Sequence, residues 1–130
     1  MDNNIIFNKI EAAFLKVFSK LKETSERDES PIFVRMEQHQ PAQEVSYHQY
    51  IIEIVVKEKI NSDEYGVVYT LNLEDIGNGL TVGIEVSRSN GYILSSQDYH
   101  LTEGKHGNYN DGKVEEVINY INTASTHLLN

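Results

Sequence analysis

The stretch Tyr50-Ile51-Ile52-Glu53-Ile54-Val55-Val56 constrains this chain more than any other. Its residues are nearly all β-branched or aromatic, and a buried helix would run longer, so residue type and length both read as a central β-strand. Alternation puts Tyr50, Ile52, Ile54 and Val56 on one face and Ile51, Glu53, Val55 and Lys57 on the other. A carboxylate in the middle of the second face means that this face is only partly covered. The rest of the chain must therefore pack on this strand, pair with it or turn away from it.

The pairing partners are legible as further period-two stretches. Ile32, Val34 and Met36 alternate with Phe33, Arg35 and Glu37, and Pro41 bars that stretch from continuing as a central strand, so it is expected at an edge. The central strand itself is expected from about Tyr47 to Lys59. The turn-rich run from Asn61 to Gly66 reverses the chain. A third strand then sets Val67, Tyr69, Leu71 and Leu73 inward against Val68, Thr70, Asn72 and Glu74 outward. After the turn Asp75-Ile76-Gly77-Asn78-Gly79, a fourth strand repeats the pattern, with Leu80, Val82, Ile84 and Val86 inward and Thr81, Gly83, Glu85 and Ser87 outward. Ser89-Asn90-Gly91 fits a three-residue hairpin loop with glycine in the left-handed position. That loop pairs Val86 with Leu94, whereas a two-residue Asn90-Gly91 turn pairs Val86 with Ser95, and the first keeps both residues in the core. It leads to a short fifth strand from Tyr92 to Ser95. Residues Ser96 to Gly112 show no period and are expected to form a long loop.

Both ends of the chain carry the helical period. From Ile5 to about Leu21 the apolar residues Phe7, Ile10, Phe14, Val17 and Leu21 recur at steps of three and four, with Lys9, Lys16, Lys20 and Lys22 mostly off the stripe. Asn3 or Asn4 is placed to cap this helix, and the polar run from Glu23 to Ser30 before Pro31 ends it. The stripe lasts little more than two heptads, which makes it a helix packed on the sheet and not a coiled coil. A second helix carries Val114, Val117, Ile118, Ile121 and Leu128, with Asn110 or Asp111 at its cap and Glu115 and Glu116 in its first turn. The expected architecture is α+β: an antiparallel meander of about five strands, with the N- and C-terminal helices side by side on one face. At 130 residues the chain suits one domain spanning 1–130, large enough to bury a core without staples.

Charge and composition narrow the function classes. There is no cysteine, so neither disulfides nor thiol nucleophiles enter. Eleven basic against twenty acidic residues give a formal net charge of −9, which repels phosphate backbones and anionic lipid, so neither nucleic acid nor membrane is expected as a partner. Met1-Asp2-Asn3-Asn4 has no basic leader region and no apolar run approaches the ~18 residues of a spanning helix, from which a cytoplasmic location is expected.

Chemistry-bearing patterns are sparse. His39, His48, His100, His106 and His127 lack the spacing of zinc ligands, and no metal or other cofactor is expected. Asp98-Tyr99-His100 holds a potential base and a carboxylate, yet neighbours on a strand point to opposite sides and no nucleophile stands nearby. Gly77-Asn78-Gly79 leads into a strand and not into a helix N-terminus, so it reads as a turn and not as a phosphate loop. Tyr50 and Tyr69 are expected in the core; Tyr47, Tyr65, Tyr92, Tyr99 and Tyr109 lie in or near turns, where an aromatic body with a polar tip suits recognition. No enzymatic site is expected.

The strongest signal is charge distribution. Between Ile60 and Gly104 stand Asp63, Glu64, Glu74, Asp75, Glu85, Asp98 and Glu103 against the single base Arg88, while the first helix is predominantly basic. Asp63, Glu64, Glu74, Asp75, Glu85 and Asp98, with Tyr92 and Tyr99, are the candidate partner-binding residues. Such a patch steers a basic protein partner.

In architecture and charge over its whole length, the chain resembles the small acidic immunity proteins of bacterial toxin and immunity pairs, which are likewise cysteine-free, α+β and without catalytic residues. The resemblance implies stoichiometric inhibition of a basic, nuclease-type toxin, with carboxylates pairing against the Lys and Arg that hold the nucleic acid and tyrosines as anchors. It transfers no individual site residue. Two other readings compete: a secretion-type chaperone that clasps an extended client as a dimer, and a helix-plus-curved-sheet enzyme or small-molecule binder with a polar pocket between helix and sheet.

Overall fold

A computed structural model describes residues 3–27, 29–39, 47–56, 66–75, 79–102 and 109–127. Helix α1 (Asn3–Ser25) is followed by strands β1 (Ile32–His39), β2 (Tyr47–Val56), β3 (Gly66–Asp75), β4 (Gly79–Arg88) and β5 (Ile93–Thr102), then helix α2 (Asp111–Ala124) and a short 3-10 turn, Ser125–His127. The five strands form one open sheet in the order β1-β2-β3-β4-β5, each antiparallel to the next. The fold is α+β, as the alternation and the two helical stripes predict.

Alternation decides the layers. Tyr50, Ile52, Ile54, Tyr69, Leu71, Leu73, Leu80, Val82, Ile84 and Val86 all turn inward and are buried. They meet Phe7, Ile10, Phe14, Val17 and Leu21 of α1 and Val114, Val117, Ile121 and Ala124 of α2 in one core cluster. Both helices thus cover the same face and pack against each other. Two hydroxyls tie helix to sheet inside this layer. Tyr69 donates to the Ile121 carbonyl at 2.6 Å, and Tyr50 donates to the Glu11 carboxylate. Among the described residues, no helix packs on the opposite face of the sheet.

Helix α1 runs four residues beyond Leu21, because the polar run contains no helix breaker before Ser25; Glu29, at a φ of 63°, then turns the chain toward β1. Helix α2 starts where the cap was expected: the Asn110 side chain accepts the Lys113 N–H at 3.2 Å.

Two expectations are overturned at β5. The Ser89-Asn90-Gly91 loop does form, with the Gly91 N–H bonded to the Arg88 carbonyl and Gly91 at a φ of 94°. An irregularity follows it, however, so that Ser87 pairs with Ile93 and Val86 with Ser95. Leu94 is the inserted residue; it still packs against the core, which is how a bulge satisfies an apolar side chain that simple pairing would have placed directly opposite Val86. The strand also does not stop at Ser95. Residues 96–102 belong to β5 and not to a loop, although Ser96, Asp98, His100 and Thr102 are polar. At the rim of an open sheet the outward set need not be apolar, and inward Tyr99 and Leu101 supply the anchoring. Tyr109, expected on a recognition surface, is instead 5 % exposed and part of the core.

Candidate protein-binding face

The uncovered face is set by register. Across β2 to β5 one row runs Gln49, Asn72, Gly83 and Asp98; the next runs Tyr47, Glu74, Thr81 and His100; on the other side lies Ile51, Thr70, Glu85 and Ser96. Beyond that, Phe33 pairs with Val55, and Val68 and Ser87 lead to Ile93. The face therefore has a polar, acidic end and an apolar end, with Phe33 and Ile93 each more than half exposed.

Gly83 makes a dent in the polar end. It has no side chain between Asn72 and Asp98, two inter-strand spacings or about 10 Å apart. A Cβ there would stand 3.1 Å from an Asp98 carboxylate oxygen and 3.7 Å from the Asn72 amide nitrogen. The resulting notch is about 300 Å³ in volume, and its walls include Tyr47, Glu74, Thr81 and His100. One wall is fixed. The Tyr47 hydroxyl and the Gln49 amide both donate to Asn72 Oδ1, at 2.7 and 2.8 Å, which leaves the Asn72 amide nitrogen turned toward the notch.

Charge on this face is one-sided. Among the described residues it carries Glu37, Glu53, Glu74, Glu85 and Asp98, and its only lysine or arginine is Arg35. Arg35 is already engaged, since its Nε donates to the Glu53 carboxylate at 3.0 Å. The exposed lysines Lys9, Lys16, Lys20 and Lys22 lie on α1, across the sheet.

Of the residues singled out from sequence, Glu74, Glu85 and Asp98 come together on the open face. Asp75 closes β3 opposite Leu80 and belongs to the other side of the alternation. Tyr92 sits at the hairpin end of the face and is 65 % exposed. Tyr99 points the other way, toward α2, with its ring 6.2 Å from that of Tyr120; burial, and then the nearby Glu116 carboxylate, push its hydroxyl pKa upward. Asp63 and Glu64 lie outside the described residues, as do Tyr65, Glu103, His106 and Leu128. Tyr47, read from sequence as a recognition tyrosine, lies on this face; the residues that sequence reasoning did not single out are Gln49, Asn72, Gly83 and Thr81. Alternation already sent Asn72, Gly83 and Thr81 outward; what was missing was the register that makes them neighbours.

Among the described residues there is no group of three or more His, Asp or Glu side chains placed to hold a metal ion, and no helix is long and apolar enough to cross a membrane. Fold and face define an α+β protein with a meander sheet, helices on one side and an uncovered acidic surface on the other. No protein-family model, characterised protein or solved structure matches the chain.

Proposed function

We propose that this chain is a stoichiometric protein-binding inhibitor, of the kind immunity proteins represent, that masks a cation-rich surface of a basic toxin with the open face of its sheet. The observation that carries this is the notch at Gly83. A partner lysine or arginine entering it meets the carboxylates of Asp98 and Glu74, while Phe33 and Ile93 offer apolar anchorage at the other end of the same face. A pocketed enzyme would need room and polar groups between helices and sheet; there Phe14 packs edge-on to Tyr69 at 4.8 Å, among aliphatic side chains, which favours the binding role.

The test is binding kinetics against a candidate basic toxin domain over a range of ionic strength, with purified nucleic acid as control. Association is expected to slow steeply as salt rises, and Glu74→Lys with Glu85→Lys to slow it by about tenfold or more, with a smaller effect on dissociation. An association rate indifferent to both salt and charge reversal, or tight binding to the nucleic acid, rejects the reading.

A further inference from the structure

We propose that the outer edge of β5 docks a second copy of this chain, the two β5 strands pairing antiparallel about a two-fold axis at Tyr99. This proposal does not rest on the toxin-binding reading, although the edge shares Asp98 and His100 with the walls of the notch.

Among the described residues, no strand pairs with the outer edge of β5. β5 ends the sheet, and past the bulge at Leu94 its residues 95–102 include no Lys, Arg or Pro, residues with which strand edges are often protected from further pairing. The opposite edge is treated differently: at β1 the Lys22 ammonium occupies the Val34 carbonyl at 3.3 Å. Helix α2 does not close the β5 edge either. Between them runs an open groove of about 680 Å³, walled by Gln97 and Tyr99 on one side and by Lys113, Glu116, Tyr120 and Thr123 on the other.

The chemistry of the edge is self-complementary, which selects a second copy over an unrelated strand. With the axis at Tyr99, Asp98 faces the partner's His100 and His100 faces the partner's Asp98. Both side chains are exposed on the open face, so two carboxylate–imidazole pairs form on one side of the joined sheet. On the helical side, Gln97 meets the partner's Leu101. The helices also fit. α2 lies over β4 and β5, so extending the sheet by one strand spacing sets the two α2 axes about 10 Å apart, within ordinary helix-packing distance. The groove is then filled by the facing α2 side chains. Each copy carries a net charge of −9, and this repulsion is largely screened beyond about 8 Å at physiological salt.

Sedimentation of the native chain over a concentration series is the first measurement. Twice the monomer mass is expected, with a dimer fraction that rises with salt, opposite to the salt response of toxin association. A chain that stays monomeric at every concentration and salt overturns the proposal. Because the chain has no cysteine, register is tested by single substitutions under mild oxidation. Tyr99→Cys lies on the axis, where directly opposed Cα atoms are about 4.5 to 5.5 Å apart and a disulfide is allowed. Ser96→Cys lies about 20 Å from its own copy across the axis. Efficient cross-linking of the first and not of the second is expected. Equal cross-linking, or a dimer in which only cysteines outside β5 react, refutes the proposed edge. His100→Asp sets like charges opposite each other twice and is expected to shift the native equilibrium toward monomer; an unchanged dimer fraction counts against the register.

Discussion

The Tyr69 hydroxyl donates a 2.6 Å hydrogen bond to the Ile121 carbonyl, joining the middle strand of the sheet to the last turn of α2. That carbonyl also accepts the Ser125 N–H that caps the helix, so one oxygen anchors the helix end both to itself and to the sheet. Tyr69→Phe removes the hydroxyl from a site with no exposure while the cap bond stays. The expected loss is about 0.5 to 1.5 kcal/mol in a urea titration, with α2 amides exchanging faster than those of β3. No loss of stability would mean that the hydrogen bond adds nothing and that α2 is held to the sheet by apolar packing alone.

Core truncation tests the inward faces directly. Ile54 and Leu71 are 2 % and 0 % exposed, and alanine at either is expected to cost about 2 to 5 kcal/mol, since each change leaves a cavity among neighbours that relax only in part. Denaturant midpoints decide it. Losses under about 1 kcal/mol at both sites would undo the assignment of the open face as well.

Two glycines should respond oppositely to alanine. At Gly66 an added Cβ would lie 1.8 Å from the Ile54 carbonyl oxygen, a backbone atom that cannot move without disrupting the β2–β3 ladder, and a loss of about 3 kcal/mol or more is expected. At Gly83 the nearest atom is the end of the Asp98 side chain, at 3.1 Å, which rotates away. Gly83→Ala is therefore expected to change stability by less than about 0.5 kcal/mol while narrowing the notch and weakening binding of the proposed partner. Thermal unfolding and binding measured on the same samples separate the two effects; intact binding by Gly83→Ala would remove the notch from the proposed contact.

Stability should fall in strong alkali. Burial pushes the Tyr50 pKa above its ordinary range, reinforced by the hydrogen bond to the Glu11 carboxylate, and burial does the same for Tyr69. The folded state thus holds protons that the unfolded chain releases above a pH of about 10. Stability from this source is complete below that pH and declines as pH rises above it. Tyr50→Phe should flatten the decline in chemical unfolding, and the tyrosinate absorbance of the folded protein should lag behind that of the denatured chain. Superimposable titration curves would contradict it.

The local pattern carried much of the architecture. Strict alternation in β3 and β4 and the stripes Phe7-Ile10-Phe14-Val17-Leu21 and Val114-Val117-Ile121 determine which side of each element is apolar, and burial follows because apolar surface leaves water wherever a partner face exists. Those assignments need no long-range information. β5 was different: Ser95, Ser96, Gln97 and Asp98 have no apolar period, and only pairing with β4 makes them a strand, since backbone hydrogen bonds are indifferent to side-chain polarity. The bulge at Leu94 likewise comes from fitting that ladder and not from the residue itself. Charge was readable as an excess of acids, but not as a surface; Glu74, Glu85 and Asp98 share one face, and Asp75 and Tyr99 do not, because register and the pleat place each side chain on one face or the other. Sequence by itself determined the two helices and strands β1 to β4, with their inward faces. Only the tertiary structure decided that Asn72, Gly83 and Asp98 lie in one row and enclose a notch, because that depends on the register between neighbouring strands, which the turns and the irregularity after Val86 set.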